Sequence, residues 1–178
     1  MASAAAVLQL GLLRMRPLQR WLNARASRRA WAAGRQLIRV TQTCITALQP
    51  WKVADWYQRG VMMGAISHRK VISTDASNTG WGAICEGTPV FGLWSDREKL
   101  LHINCLEMIA VKNALTRFLP VIRDHHVLVR SDNMSVVSYL NRHGGVRSRN
   151  LCNLAERLLV WSQRHLRSLR GLTMYQAT

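Results

Sequence analysis

From residue 70 the chain alternates apolar and polar positions in short runs. In KVISTDAS (70–77), Val71, Ser73 and Asp75 fall on one face of an extended strand, and Ile72 and Thr74 on the other. NTG turns the chain into WGAICEG, and GTP turns it again into VFGLWS, so three strands form an antiparallel meander. The period then lengthens to that of a helix. NCLEMIAVKNALTRFL (104–119) opens at Asn104, a good N-cap residue, with Glu107 three positions later. Glu107, Ala110, Val111 and Ala114 share one face, Phe118 lies a turn beyond, and Pro120 closes the helix. HHVLVRSDN predicts a β-branched strand ending at Asp132, MSVVSYLNRHGG a short helix stopped by glycine, and RSRNLCNLAERLLVWSQRHL a longer one with Leu151, Leu154, Leu158 and Trp161 in one stripe. SLRGLTMYQAT reads as a final strand. The order β-β-β-α-β-α-α-β predicts an α/β sheet, mixed in direction, with flanking helices.

The segment before residue 70 reads differently. Residues 7–49 are helical in pieces: Leu18, Trp21 and Leu22 share a face, Arg25, Arg28 and Arg29 follow, and Pro17 and Pro50 punctuate. Gln49 to His68 reads as a linker or small helical segment. This predicts a basic, partly helical segment over 1–69 and a domain over 70–178. A length of 178 residues suits one domain with an extension, and a hydrophobic content of 48% excludes global disorder.

Charge sharpens that division. Residues 1–54 hold nine basic side chains and no acid; residues 55–140 hold nine basic and eight acidic; residues 141–178 hold seven basic and one acidic. A formal charge of +16 points to a polyanionic partner, because Lys and Arg release counterions from phosphates. Cys44, Cys85, Cys105 and Cys152 form no C-x-x-C pair, which argues against a zinc knuckle and for core thiols in a reducing compartment. No apolar run is long enough to span a membrane, so no membrane partner is expected. A cytoplasmic or nuclear location is expected; the Ala- and Arg-rich, acid-free N-terminus also fits a mitochondrial transit peptide.

With only nine acids, each can be weighed. Asp75 ends the first strand, Glu107 opens the first helix and Asp132 ends the fourth strand. If those strands are parallel neighbours, three carboxylates converge at one sheet edge and repel unless a cation lies between them. Hard divalent ions such as Mg²⁺ take such ligands, and paired ions serve phosphodiester chemistry. Each acid also has a structural explanation: an Asx-turn for Asp75, a capping box with Asn104 for Glu107, and an N-cap for Asp132. Asp96 and Glu98 read as a solvated turn, Glu86 as a turn neighbour and Glu156 as a helix charge among arginines. The adjacent His125 and His126 point to opposite strand faces and cannot share a metal.

STDASNTGWGAI, HINCLEMIAVKNAL and HHVLVRSDNMSVVSYLNRHGG, in this order and spacing, strongly resemble the ribonuclease H domain of retroelement polymerases. The resemblance is closest to DIRS-type retrotransposons, and GLLRMRPLQRWL and ALQPW resemble the segment joining reverse transcriptase to ribonuclease H. It implies a ribonuclease H-like fold in which Asp75, Glu107 and Asp132 are catalytic and bind two Mg²⁺ ions. It also implies hydrolysis of the RNA strand of an RNA–DNA hybrid and a reverse transcriptase domain as partner. The family adds a fourth acid that opens a final helix after the last strand. Here no acid follows Glu156, so a C-terminally truncated domain is expected, with the last helix missing and Trp161, Leu166 and Leu169 incompletely buried.

Two functions follow. One is a metal-dependent ribonuclease H-type nuclease that recognises a hybrid by backbone shape, with Arg142, Arg147 and Arg149 binding phosphates. The alternative is a catalytically inactive nucleic-acid-binding fragment with the same fold, whose binding is steeply salt-dependent and indifferent to Mg²⁺. For those three arginines, a solvated basic loop is the competing explanation.

Overall fold

β1 (Lys70–Ala76), β2 (Gly80–Cys85) and β3 (Thr88–Leu93) form the expected meander, because two tight turns bring apolar alternation back on itself. In the first turn Ser77 Oγ accepts from the N–H groups of Thr79 and Gly80, at 3.2 Å each. In the second, Glu86 and Gly87 both take positive φ (48° and 81°), the mirror-image turn that matches strand twist. The computed structural model describes residues 8, 10–25, 37, 39–52, 60, 66 and 68–174. It divides into two units, Met1–Met63 and Gly64–Thr178.

In the second unit the chain leaves the meander through α3 (Ile103–Arg117) and a single turn, α4 (Leu119–Ile122), to reach β4 (His126–Ser131). It then crosses through α5 (Met134–Asn141) and α6 (Arg149–His165) to β5 (Ser168–Thr173). The sheet order is β3-β2-β1-β4-β5, with β1 parallel to β4 and β4 parallel to β5. Parallel neighbours need crossovers of this length, which the helices supply. The result is the mixed α/β sheet the sequence predicts.

Pleat alternation decides which side is core. Ile72, Thr74, Trp81, Ala83, Cys85, Val127, Val129 and Leu169 are buried on the face that the helices cover. Ala110, Val111 and Ala114 of α3 are fully buried there. Their small side chains fit a close helix–sheet approach, at interior packing density. Leu166 and Leu169, expected to be poorly covered, are buried, because both face the helical layer; Trp161 is half-buried. On the opposite face of the sheet Ile84, Phe91 and Leu93 stand 52%, 84% and 85% exposed.

The β5 edge is closed by a side chain. Asn141 Nδ2 donates to Gly171 O at 2.8 Å, and Gly171 N–H donates to Asn141 Oδ1 at 2.9 Å. The carboxamide thus pairs with the strand as another peptide would. A Cβ at Gly171 would stand 3.1 Å from the Val137 backbone, so this close approach favours glycine.

Two local expectations are corrected. Asn104 is not the cap of α3. His102 is, its Nδ1 accepting from Asn104 N–H at 3.2 Å, while the Asn104 side chain turns away. Pro120 does not close α3 but begins the one-turn α4, since a first-turn proline loses no helical hydrogen bond.

In the first unit, α1 (Gly11–Asn23) contains Pro17 within it rather than at a break. Leu8, Met15 and Trp51 are buried together, with Leu12 and Leu48, the last residue of α2 (Gln42–Leu48), packed against them. Trp21 is buried and donates to Thr41 Oγ1 at 2.6 Å, while Leu18 and Leu22 are partly exposed. Arg25 lies over the Trp21 ring at 5.1 Å; Arg28, Arg29 and most of the linker fall outside the described residues. Among the described residues, no helix is long and apolar enough to cross a membrane.

Candidate metal centre

Asp75 and Asp132 reach the same sheet edge because β1 and β4 run parallel with Ser73 opposite Arg130. Two residues further along, each strand delivers its aspartate at the carboxyl end, where open α/β sheets gather ligands. α3 crosses this region and presents Glu107 from below. One carboxylate oxygen from each of the three lies within 4.8 Å of the others.

The structural alternatives for these acids are taken by other residues. With His102 as cap, Glu107 is the fifth residue of α3, outside a capping box. The cap of α5 is Asn133, whose Oδ1 accepts from Ser135 N–H and Val136 N–H at 3.0 and 3.2 Å. The turn after β1 is organised by Ser77, and Trp94 Nε1 donates to Ser77 O at 2.8 Å to hold it. Asp75 accepts only from its neighbour, Ala76 N–H, at 2.9 Å among the described residues. The helix-cap roles open to Glu107 and Asp132 are therefore held by His102 and Asn133.

Their electrostatics are uneven. Asp75 and Asp132 are exposed, whereas Glu107 is buried, 3% exposed. Burial pushes the Glu107 carboxyl up to about 7, and the negative charges of Asp132 and Asp75 push the same way. A backbone hydrogen bond from Ala76 opposes them. Glu107 Oε2 is buried without a hydrogen-bond partner. A buried, orphaned carboxylate oxygen facing two more carboxylates fits a hard divalent cation, which takes oxygen ligands. All donors are oxygens, so soft metals are disfavoured.

Asn104 Oδ1 accepts from Asn133 Nδ2 at 2.9 Å, tying the start of α3 to the joint after Asp132. Neither amide was assigned this part from sequence. The signal available was Asn133 directly following Asp132, together with an Asn three residues before Glu107.

The predicted basic residues are not in the centre. Arg142, Arg147 and Arg149 are exposed, in and beside the α5–α6 connection. They lie beyond α5, whose eight residues span about 12 Å.

No protein-family model and no curated protein sequence gives a significant match to the chain. Solved structures do. LC11-RNase H1, determined in complex with an RNA/DNA hybrid, aligns at 16% identity and a TM-score of 0.50, over 60% of this chain and 85% of that one. RNase H1 from the halophilic archaeon Halobacterium salinarum NRC-1 aligns at 17% identity and 0.44, over 61% of this chain and 88% of its own. The prototype foamy virus protease-reverse transcriptase aligns at 11% identity and 0.42, over 90% of this chain but 24% of the viral one. The first of these likenesses establishes the ribonuclease H-like fold.

Proposed function

We propose that the second unit is a retroelement-derived ribonuclease H-type nuclease that hydrolyses the RNA strand of RNA–DNA hybrids with Mg²⁺. The observation that carries this reading is the convergence of Asp75, Glu107 and Asp132 within 4.8 Å, with Glu107 buried and short of a partner. The three carboxylates would hold the cation. When bound, divalent ions lower the pKa of an attacking water and stabilise the leaving oxygen.

The chain's own residues set the conditions. Glu107, fixed in a helix and buried, gives a ligand oxygen that cannot swing away. Asp75 and Asp132, exposed at strand ends, leave an open side on which a phosphodiester can seat. Recognition of a hybrid rests on backbone shape and 2′-hydroxyls. Arg142, Arg147 and Arg149 would bind phosphates about one short helix away from the acids. A reverse transcriptase domain as partner rests on the sequence resemblance of residues 11–22 and 47–51.

The second reading is a nucleic-acid-binding module without catalysis. It is supported by the formal charge of +16, concentrated in residues 1–54 and 141–178, which suits phosphate binding whether or not cutting follows.

A labelled RNA–DNA hybrid decides between them. Mg²⁺-dependent cutting by the chain, abolished in Asp75→Asn, supports the nuclease. Binding without cutting supports the module, and cutting only after addition of an acid-bearing C-terminal helix shows a catalytic centre lacking one ligand. Failure to bind the hybrid at all overturns both.

A further inference from the structure

α6 carries an exposed basic stripe. Arg149, Asn153, Arg157, Val160 and Arg164 recur every three or four residues, so they share one face of the helix, and all five are exposed. The arginines stand about 12 and 10 Å apart along the axis, too far for two of them to share one phosphate. Among the described residues none of the three makes a side-chain hydrogen bond or an ion pair. Glu156, the only acid after Asp132, is exposed beside them and pairs with none of them.

A groove of about 480 Å³ follows this stripe. Exposed Arg157 and Arg164 form its rim, and half-buried Trp161 and His165 form its floor, with ring centroids 4.7 Å apart and planes tilted by 44°. Trp161 Nε1–H is not buried and donates to no group among the described residues, whereas a tryptophan kept for the core pairs that donor. The groove is separate from the metal centre. Asp124 N–H donates to His165 O at 2.9 Å and Arg167 N–H to His125 O at 3.0 Å, so α6 ends where β4 begins. Asp132 lies past the other end of β4, whose six residues span about 20 Å.

We propose that this groove binds a single strand of nucleic acid, with phosphates on Arg157 and Arg164 and a base against Trp161. Arg149 continues the same line for the next part of the backbone. A basic groove that also offers an aromatic ring holds single strands without reading their sequence, because every base has a face to stack. Such binding requires neither Mg²⁺ nor cutting, so it stands apart from the nuclease reading. A duplex fits less well: its backbone winds away from a straight line of arginines, and its bases are already stacked on one another. An acidic peptide would meet the arginines but leave the Trp161 ring and its free N–H uncovered.

The test is fluorescence anisotropy of the full chain with a labelled oligothymidine of about 12 nucleotides, in a chelator. Arg157→Gln combined with Arg164→Gln should weaken binding about tenfold and lower the slope of log K against log salt by about 1.4, at about 0.7 for each phosphate released. The same loss of charge elsewhere, in Arg97→Gln combined with Arg170→Gln, should weaken it less than about threefold. Trp161→Leu should weaken binding about tenfold, and Trp161→Phe, which keeps a ring, should restore most of it. Arg157 and Arg164 are exposed, so their replacement should leave circular dichroism and the cutting of a blunt RNA–DNA hybrid unchanged, which separates this result from the fate of the nuclease reading. Unchanged oligothymidine binding in the paired Arg157 and Arg164 variant, or in a folded Trp161→Leu protein, overturns the proposal. So does a blunt duplex of the same length, or a polyglutamate peptide, that binds as tightly as oligothymidine and loses as much in that arginine variant.

Discussion

Asn104 and Asn133 are joined side chain to side chain at 2.9 Å, linking the first turn of α3 to the cap of α5. Glu107 follows one of these residues by three positions, and Asp132 precedes the other. The bond therefore ties together the two segments that carry Glu107 and Asp132. Replacing Asn104 with Ala removes one hydrogen bond, at about 1 kcal/mol. Replacing Asn133 with Ala also removes the helix cap and should cost about 1–3 kcal/mol. Urea denaturation checks both, and each variant should need more Mg²⁺ for half-saturation of its thermal shift. A variant with lowered stability but unchanged Mg²⁺ dependence would limit the pair to a structural part.

Glu107 makes the cation-free protein sensitive to pH. Its folded pKa of about 7 lies above the ordinary carboxylate value of 4.5. Between these values the unfolded chain releases a proton that the folded one keeps, so stability falls as pH rises from about 4.5 to 7 and then levels. The span corresponds to roughly 3 kcal/mol at most. Thermal melts in a chelator across this range should show the decline, and Glu107→Gln should flatten it and melt higher at pH 8.

A divalent cation should reverse that decline. A ligand that binds only the folded state at 100 times its Kd stabilises by about 2.7 kcal/mol. Mg²⁺ should raise the melting temperature of the wild-type chain at pH 8 and leave Asp75→Asn and Glu107→Gln nearly unmoved. Calorimetric titration checks the same point without reference to activity.

Asn141→Ala should destabilise the unit by about 1–3 kcal/mol, because the Gly171 N–H and C=O both lose a partner at a sheet edge. Hydrogen exchange at Gly171 should quicken more than at Val129 in the buried β4.

Replacing Arg142, Arg147 and Arg149 together with Gln should weaken hybrid binding about equally across sequences. It should also lower the slope of log K against log salt by about one for each phosphate left without its arginine. An unchanged slope would show that these residues form a solvated loop.

Sequence alone made much of the second unit legible. Alternation in 70–77 separated Ile72 and Thr74 from Val71, Ser73 and Asp75, and burial follows that division. The Ala110, Val111 and Ala114 face was readable from period alone, because a helix buries every third or fourth residue wherever it packs. The caps were less legible. Asn104 looked like one, and the cap is His102, because the Asn104 amide is committed to Asn133 from 29 positions away.

Local pattern therefore determined which residues form each element, which face is apolar, and that three acids stand at element ends. It could not determine that β1 and β4 are parallel neighbours in matched register, which carries Asp75 to Asp132. Nor could it determine that Phe91 and Leu93 are left exposed on one face of the sheet while Leu166 and Leu169 are buried. Periodicity reports the environment of a residue averaged over its neighbours in the chain. Which strand lies alongside, and which face receives the helices, is settled by the crossovers and by burial of the sheet as a whole.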